Sequence, residues 1–161
     1  MEDYIISMRS ALVVYKTVTG HTVKLAGKIR RRLEDTGYDV EIINDREFED
    51  VKEVLDYDLI AIGSPCEKGK MASEIEGKIK KMKKLDLAGK EIIVFSTCDK
   101  EEFRNSISIE IMEMLKDTGI TKFAEIGYLK HSNDDMESMV NYEIKDRRTE
   151  EEIKAAEEEE D

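Results

Sequence analysis

Tyr15-Lys16-Thr17-Val18-Thr19-Gly20-His21-Thr22 is the stretch on which the reading of this 161-residue chain turns. It follows the apolar run Ala11-Leu12-Val13-Val14-Tyr15. It precedes a segment in which Val23, Ala26, Ile29 and Leu33 recur at helical spacing, with Leu25 beside them. A buried strand, a tight turn and a helix therefore follow one another. Three threonines and one glycine sit at the turn. That chemistry suits a phosphate: free backbone N–H groups at a helix N-terminus, the positive end of the helix dipole, and hydroxyl donors.

Working outward, the first strand starts near Ser10, and residues 1–8 read as an N-terminal extension, with 1–7 loosely attached or disordered. Met8 is an alternative start of translation. The helix after the turn is expected over 22–35, with Gly37 as the residue that closes it. Tyr38-Asp39-Val40-Glu41-Ile42-Ile43 is a second strand, and a short helix is expected around 50–55. Asp58-Leu59-Ile60-Ala61-Ile62-Gly63-Ser64-Pro65 is almost continuously apolar, as in a strand buried on both faces of a parallel sheet. A loop through Cys66-Glu67-Lys68-Gly69-Lys70 leads to a helix over 73–84, whose lysine run is read as its solvated face. Glu91 to Phe95 is the fourth strand, running into Ser96-Thr97-Cys98-Asp99. Phe103, Ile107, Ile111 and Leu115 predict one helix over 102–116, and Lys122 to Leu129 is the fifth strand. Met136, Met139 and Val140 suggest a short helix within 133–144. Thr149 and Glu152 fit a capping box, opening a poorly amphipathic helix that should dock weakly. Five repeats of strand and helix call for a doubly wound α/β fold, a five-stranded parallel sheet with helices on both faces, in a single domain over 9–161.

Composition narrows the function. A formal net charge of −12 disfavours nucleic-acid binding. From Glu150 to Asp161 there are eight acids and one lysine, −7 of that total, which reads as a fraying solvated helix end or as an acidic patch that steers basic partners. No run approaches the roughly 20 apolar residues of a membrane span, and the short acidic N-terminus is unlike a signal peptide. A cytoplasmic, monomeric protein is expected, with no membrane association. The two cysteines are too few for a disulfide scaffold and are not spaced for zinc. His21 and His131 are not spaced as a metal pair, and no catalytic nucleophile–base arrangement is evident.

Thr17-Val18-Thr19-Gly20-His21-Thr22 resembles the (Ser/Thr)-x-Thr-Gly-x-Thr phosphate loop of the flavodoxins, and the order of elements over about 9–160 is similar to theirs. The turn lacks the Gly-Lys pair of a nucleoside triphosphate loop and the three glycines of a dinucleotide fingerprint. The plain alternative is a Thr/Gly-rich turn with ordinary N-capping. The resemblance implies strand order 2-1-3-4-5 and FMN bound at the carboxyl ends of the central strands, at the switch point. It implies an FMN-binding protein that passes electrons between redox partners with basic docking surfaces. Two rivals share the fold: a flavin-dependent NAD(P)H or quinone oxidoreductase, and a flavin-free binding or regulatory protein.

The same resemblance places the flavin ring between two further loops. One is Ser64, Pro65, Cys66 and Gly69 with their neighbours. The other is Ser96, Thr97, Cys98 and Asp99, where Phe95 and Asp99 match a Phe-Gly-x-Gly-Asp segment and Ser96 and Cys98 stand at its glycines. Side chains there restrict the close approach that glycine allows, and the first of these loops has no aromatic to stack on the ring. An atypical ring site follows, with weaker binding and a less extreme potential. Phe103 is either core or a ring contact. Lys16 either adds charge beside the phosphate or points to solvent. Cys66 and Cys98 flank one pocket, either as small apolar residues or as thiols facing the flavin that oxidise to a disulfide when the pocket is empty.

Overall fold

The computed structural model describes residues 8–16, 20–130 and 135–159. Thr17, Val18, Thr19 and His131, and the N-terminal residues 1–7, lie outside the described residues. The strands are β1 (Arg9–Tyr15), β2 (Tyr38–Asn44), β3 (Leu59–Glu67), β4 (Lys70–Met71), β5 (Glu91–Cys98), β6 (Lys122–Leu129) and β7 (Lys145–Asp146). The helices are α1 (Gly20–Asp35), α2 (Ser73–Met82), α3 (Ser106–Met114), α4 (Met136–Met139) and α5 (Glu150–Glu159).

The sheet runs β2-β1-β3-β5-β6-β7, with β4 added to β3. The five long strands are all parallel and hold the expected order. β4 and β7 are additions to the five strands read from the sequence, both antiparallel and two residues long, too short to show a period. Side chains alternate along each strand, so one strand feeds two cores. Leu12, Val14, Ile60, Ile62, Ile92 and Val94 pack under α2 and α3, with Ile75, Ile79, Ile107 and Ile111. Ala11, Val13, Leu59, Ala61, Ile93 and Phe95 pack under α1, with Leu25, Ala26, Ile29 and Leu33. Burial on both faces is why these strands read as near-continuous apolar runs.

Helix α1 buries Thr22, Leu25, Ala26, Ile29 and Leu33 as one stripe and ends at Gly37, whose φ of 98° is the left-handed conformation that glycine adopts without strain. The expected short helix near 50–55 is a 3-10 turn over Val51–Asp56, capped by the Asp50 side chain accepting from the Lys52 N–H at 3.0 Å. The single helix expected over 102–116 is broken. A 3-10 turn covers Glu101–Phe103, α3 starts only at Ser106, and a last 3-10 turn covers Lys116–Thr118. The break sits where Arg104 crosses the end of β6. Its carbonyl lies so close to Gly127 that a Cβ there would be 2.4 Å away. Residues 136–144 complete the cover over the α1 face, through Val140, Met136, Met139, Tyr142 and Ile144. Thr149 caps α5 by accepting the Glu152 N–H at 3.1 Å, and α5 buries no residue. No described helix is long and apolar enough to cross a membrane.

Candidate functional site

The carboxyl ends of β1, β3 and β5 meet beside the first turn of α1. Chain order β1-α1-β2 and β3-α2-β5 sends successive crossovers to opposite faces, which opens a crevice at this edge. Gly20 is exposed at the start of α1, and a Cβ there would meet nothing among the described residues within 4 Å. No acidic side chain lies in the first turn, so none there offsets the positive end of the 16-residue helix dipole. Thr22 is fully buried, and its hydroxyl shares a 3.0 Å hydrogen bond with the equally buried Thr97 of β5. That bond fixes the start of the helix to the sheet. The half-buried His21 ring lies 6.1 Å, centroid to centroid, from Tyr128 at the end of β6.

Lys16 does not reach for solvent. It is 9% exposed, and its ammonium sits 3.3 Å from Asp45 Oδ2 and 3.4 Å from Glu74 Oε1. Asp45 is itself buried and its N–H donates to the Tyr15 carbonyl at 2.8 Å, so the end of β2 is tied to the end of β1. Glu74 is held below its usual range, first by its own backbone N–H and then by Lys16. Lys16 thus braces three elements around the crevice.

The two expected ring loops are more ordered than loops. β3 continues through Glu67 and stays in register with β5, pairing Pro65 with Thr97 and Cys66 with Cys98. It then reverses through Lys68 (φ 53°) and Gly69 (φ 82°) into β4, a two-residue hairpin of the kind whose two central residues both take positive φ. Ser64 is buried and its hydroxyl is used within the chain, donating to the Pro65 carbonyl and accepting from the Ala72 N–H, both at 2.8 Å. Pro65 is buried beside it.

Ser96 and Cys98 show what side chains do where the resembling pattern has glycines. Ser96 Oγ donates to the Arg104 carbonyl at 3.4 Å, and Cys98 Sγ donates to the Phe103 carbonyl at 3.4 Å. Together with Arg104 Nη1 on the Gly127 carbonyl at 3.3 Å, they pin the 101–104 turn onto the sheet. Both cysteines are buried on the α2/α3 face, as small members of that core. Burial, with Cys66 alongside, pushes the Cys98 thiol up to about 12, which keeps it protonated and unreactive.

Two hollows flank the hairpin. One, of about 450 Å³, lies over Lys16 and is lined also by Pro65, Glu67, Met71 and Glu74. The other, of about 240 Å³, lies between the hairpin tip and the turn after β5, lined by Cys66, Lys68, Asp99, Lys100 and Phe103. Of the two readings the sequence left open for Phe103, the core one is seen. It packs against the α2/α3 core and against Gly69, and it lines this slot. Asp99 is exposed and paired with Lys130 at 3.5 Å. Lys68, Lys100 and Lys130 were not foreseen as site residues, because lysines at a hairpin tip and at strand ends carry no motif. Among the described residues, no three His, Cys, Asp or Glu side chains converge as metal ligands.

The sequence pattern of the flavodoxin family matches residues 13–158. The chain belongs to the flavodoxin family. Flavodoxins are FMN-containing electron carriers. Among solved structures, the fold is similar to oxidised flavodoxin 2 from Bacillus cereus, at 26% identity and a TM-score of 0.69 over 82% of this chain and 93% of that one. It is similar to a short-chain flavodoxin associated with a non-canonical PDU bacterial microcompartment, at 23% identity and a TM-score of 0.71, covering 83% and 93%. It is also similar to Fusobacterium nucleatum flavodoxin bound to flavin mononucleotide, at 18% identity and a TM-score of 0.58, covering 78% and 77%. No curated protein matches the sequence significantly.

Proposed function

We propose that this flavodoxin binds FMN with its phosphate at the N-terminus of α1 and its ring in the slot between the β3–β4 hairpin and the turn after β5. The observation that carries this reading is the open, acid-free first turn of α1 beside the ends of the central strands. Its donor set fits a phosphate dianion, as backbone N–H groups and the helix dipole require. Thr17, Val18, Thr19, Gly20, His21 and Thr22 supply the phosphate cradle. Ser64, Pro65, Cys66, Gly69, Ser96, Thr97, Cys98 and Asp99 build the ring end, of which Cys66 and Asp99 line the slot directly. The bound flavin supplies one- and two-electron chemistry. The chain's own task is to hold it, orient it and shield it on one side.

Phe103 is the one aromatic lining the slot among the described residues, which supports reading the ring end as atypical. A stacked aromatic contributes about 0.5–1.5 kcal/mol beyond area, so affinity depends heavily on the phosphate end. Electrons pass at the exposed rim of the slot, and the excess of acids, concentrated on α5, which buries no residue, steers partners with basic docking surfaces. Action as a monomer in the cytoplasm, as is general for flavodoxins, completes the proposal. The test is to reduce the FMN-loaded protein anaerobically and mix it with a basic acceptor protein. Transfer whose rate falls steeply between low and high salt is expected. Turnover of NAD(P)H with a quinone, and no transfer to a protein, would replace the carrier by an oxidoreductase.

A further inference from the structure

Thr97 stands in the sequence between Ser96 and Cys98, yet its side chain works on the other face of the sheet. Side chains alternate along β5, so Val94 and Cys98 belong to the α2/α3 core while Ile93 and Phe95 belong to the α1 core. Thr97 follows Phe95 on the α1 face and lines neither of the two hollows beside the hairpin. It is fully buried, and its hydroxyl lies 3.0 Å from that of Thr22, which is equally buried. Among the described residues this is the one side-chain hydrogen bond between α1 and the sheet. The other buried residues of α1, Leu25, Ala26, Ile29 and Leu33, join the sheet only through an apolar core. Apolar burial is non-directional. It presses the helix onto the sheet but sets its position along its own axis only loosely. A hydrogen bond is directional and weakens steeply as distance and angle depart from their optimum. This one joins the third residue of α1 to a strand position fixed between Pro65 of β3 and Tyr128 of β6. It therefore sets where the first turn of α1 stands relative to the ends of the central strands. With both hydroxyls buried, no water replaces the bond when one partner is removed.

We infer that Thr97 is a positioning residue for the phosphate end of the site: acting through Thr22, it holds the first turn of α1 where its N–H groups meet the flavin phosphate, and so sets part of the preference for a phosphorylated over an unphosphorylated flavin. This rests on the reading that the phosphate is held at that turn. The physical reason is geometric. Hydrogen bonds from N–H groups to a phosphate are charge-assisted and strong, and they are lost within a small displacement of the donors. A residue that fixes the donors therefore acts on phosphate affinity, whereas a contact to the ring acts equally on FMN and riboflavin, which share that ring.

The test titrates the apo-protein with FMN and with riboflavin, following flavin fluorescence. Wild type is compared with Thr97→Val, which keeps the shape and removes the hydroxyl, with Thr97→Ser, which keeps the hydroxyl, and with Thr22→Val alone and combined with Thr97→Val. Urea unfolding confirms that each variant is folded, and Thr97→Ala serves the same comparison if the valine variant is not. Thr97→Val is expected to lose roughly three- to tenfold in affinity for FMN, with less than about twofold change for riboflavin. Thr97→Ser is expected to stay within about twofold of wild type. In the Thr22→Val background, Thr97→Val is expected to change FMN affinity by less than about twofold, because the bond is already gone. With wild type preferring FMN, an equal loss for both flavins, no loss for either, or a Thr97→Val loss that persists without the Thr22 hydroxyl overturns the inference and leaves the phosphate anchor standing. Wild type binding the two flavins equally, or neither of them, overturns the anchor and the inference together.

Discussion

Gly63→Ala should be among the most damaging single-methyl substitutions in this chain. Gly63 lies on β3 directly opposite Phe95 of β5, and the Phe95 ring lies over the space its side chain would occupy. A Cβ at Gly63 would sit 1.9 Å from Phe95 Cε2 and 2.3 Å from Cδ2 and Cζ. Ordinary carbon contacts lie at about 3.5–4.0 Å, so the ring must retreat by roughly 1.5–2 Å. Phe95 is fully buried under α1 and has no solvent to move into. Overpacking costs about 1–3 kcal/mol, and forcing the ring off its rotamer adds about 0.5–1.5 kcal/mol. The expected loss is about 2–4 kcal/mol, or roughly 5–15 °C in Tm for a domain of this size. Urea unfolding of the apo-protein measures it free of ligand linkage. Phe95→Leu alone should cost about 1–2 kcal/mol through lost packing. In that background the alanine has room, and its cost should fall below about 1 kcal/mol. If Gly63→Ala costs the same in both backgrounds, the clash with the ring is not its cause and the reasoning fails.

Three further outcomes follow from the described contacts. Lys16→Met removes one partner of the buried Asp45 and releases Glu74, and should cost about 1–3 kcal/mol in urea unfolding at pH 7; a loss under about 0.5 kcal/mol would mean that the brace is not formed. Cys66 and Cys98 should resist a thiol reagent at pH 8 in both apo- and FMN-loaded protein and react fully in denaturant; rapid labelling of the folded apo-protein would restore the thiol–flavin reading. Burial, with Glu41 as hydrogen-bond partner for Tyr57, pushes Tyr57 and Tyr142 up to about 12, above the usual value near 10. Because the folded state holds these protons more tightly, their contribution to stability is full below about pH 10 and is lost as pH rises towards 12. Phenolate absorbance at pH 10.5 should show both still protonated, and their early ionisation without unfolding would contradict the packing.

The sheet was legible because burial on both faces leaves a plain mark, runs such as Leu59 to Ile62 between turn residues. The passage from β1 to α1 was legible because strand, Thr/Gly stretch and helix are adjacent in sequence. What sequence reading missed depends on distant partners. The periodicity of Phe103, Ile107, Ile111 and Leu115 continues straight through the break at Arg104, because the cause is Gly127, 23 residues away. Lys16 reads either as a charge beside the phosphate or as a solvent lysine until Asp45 and Glu74 are brought to it by β2 and α2. The hairpin at Lys68-Gly69 lacks the Asn-Gly or Asp-Gly pair that announces such turns, and it is formed because β3 stays paired with β5 through Cys66. Ser96 and Cys98 read as departures from a glycine pattern, and their bonds to the 101–104 turn give those side chains a purpose that pattern matching could not supply.

The most direct test of the central claim compares FMN with riboflavin, which lacks the phosphate, in titrations of the apo-protein at fixed salt. An anchor at the first turn of α1, with a ring slot lined by one aromatic, predicts FMN bound at least about 100-fold more tightly, since about 2.7 kcal/mol or more would come from the phosphate end. Equal affinity for the two flavins, or no binding of either, would contradict it.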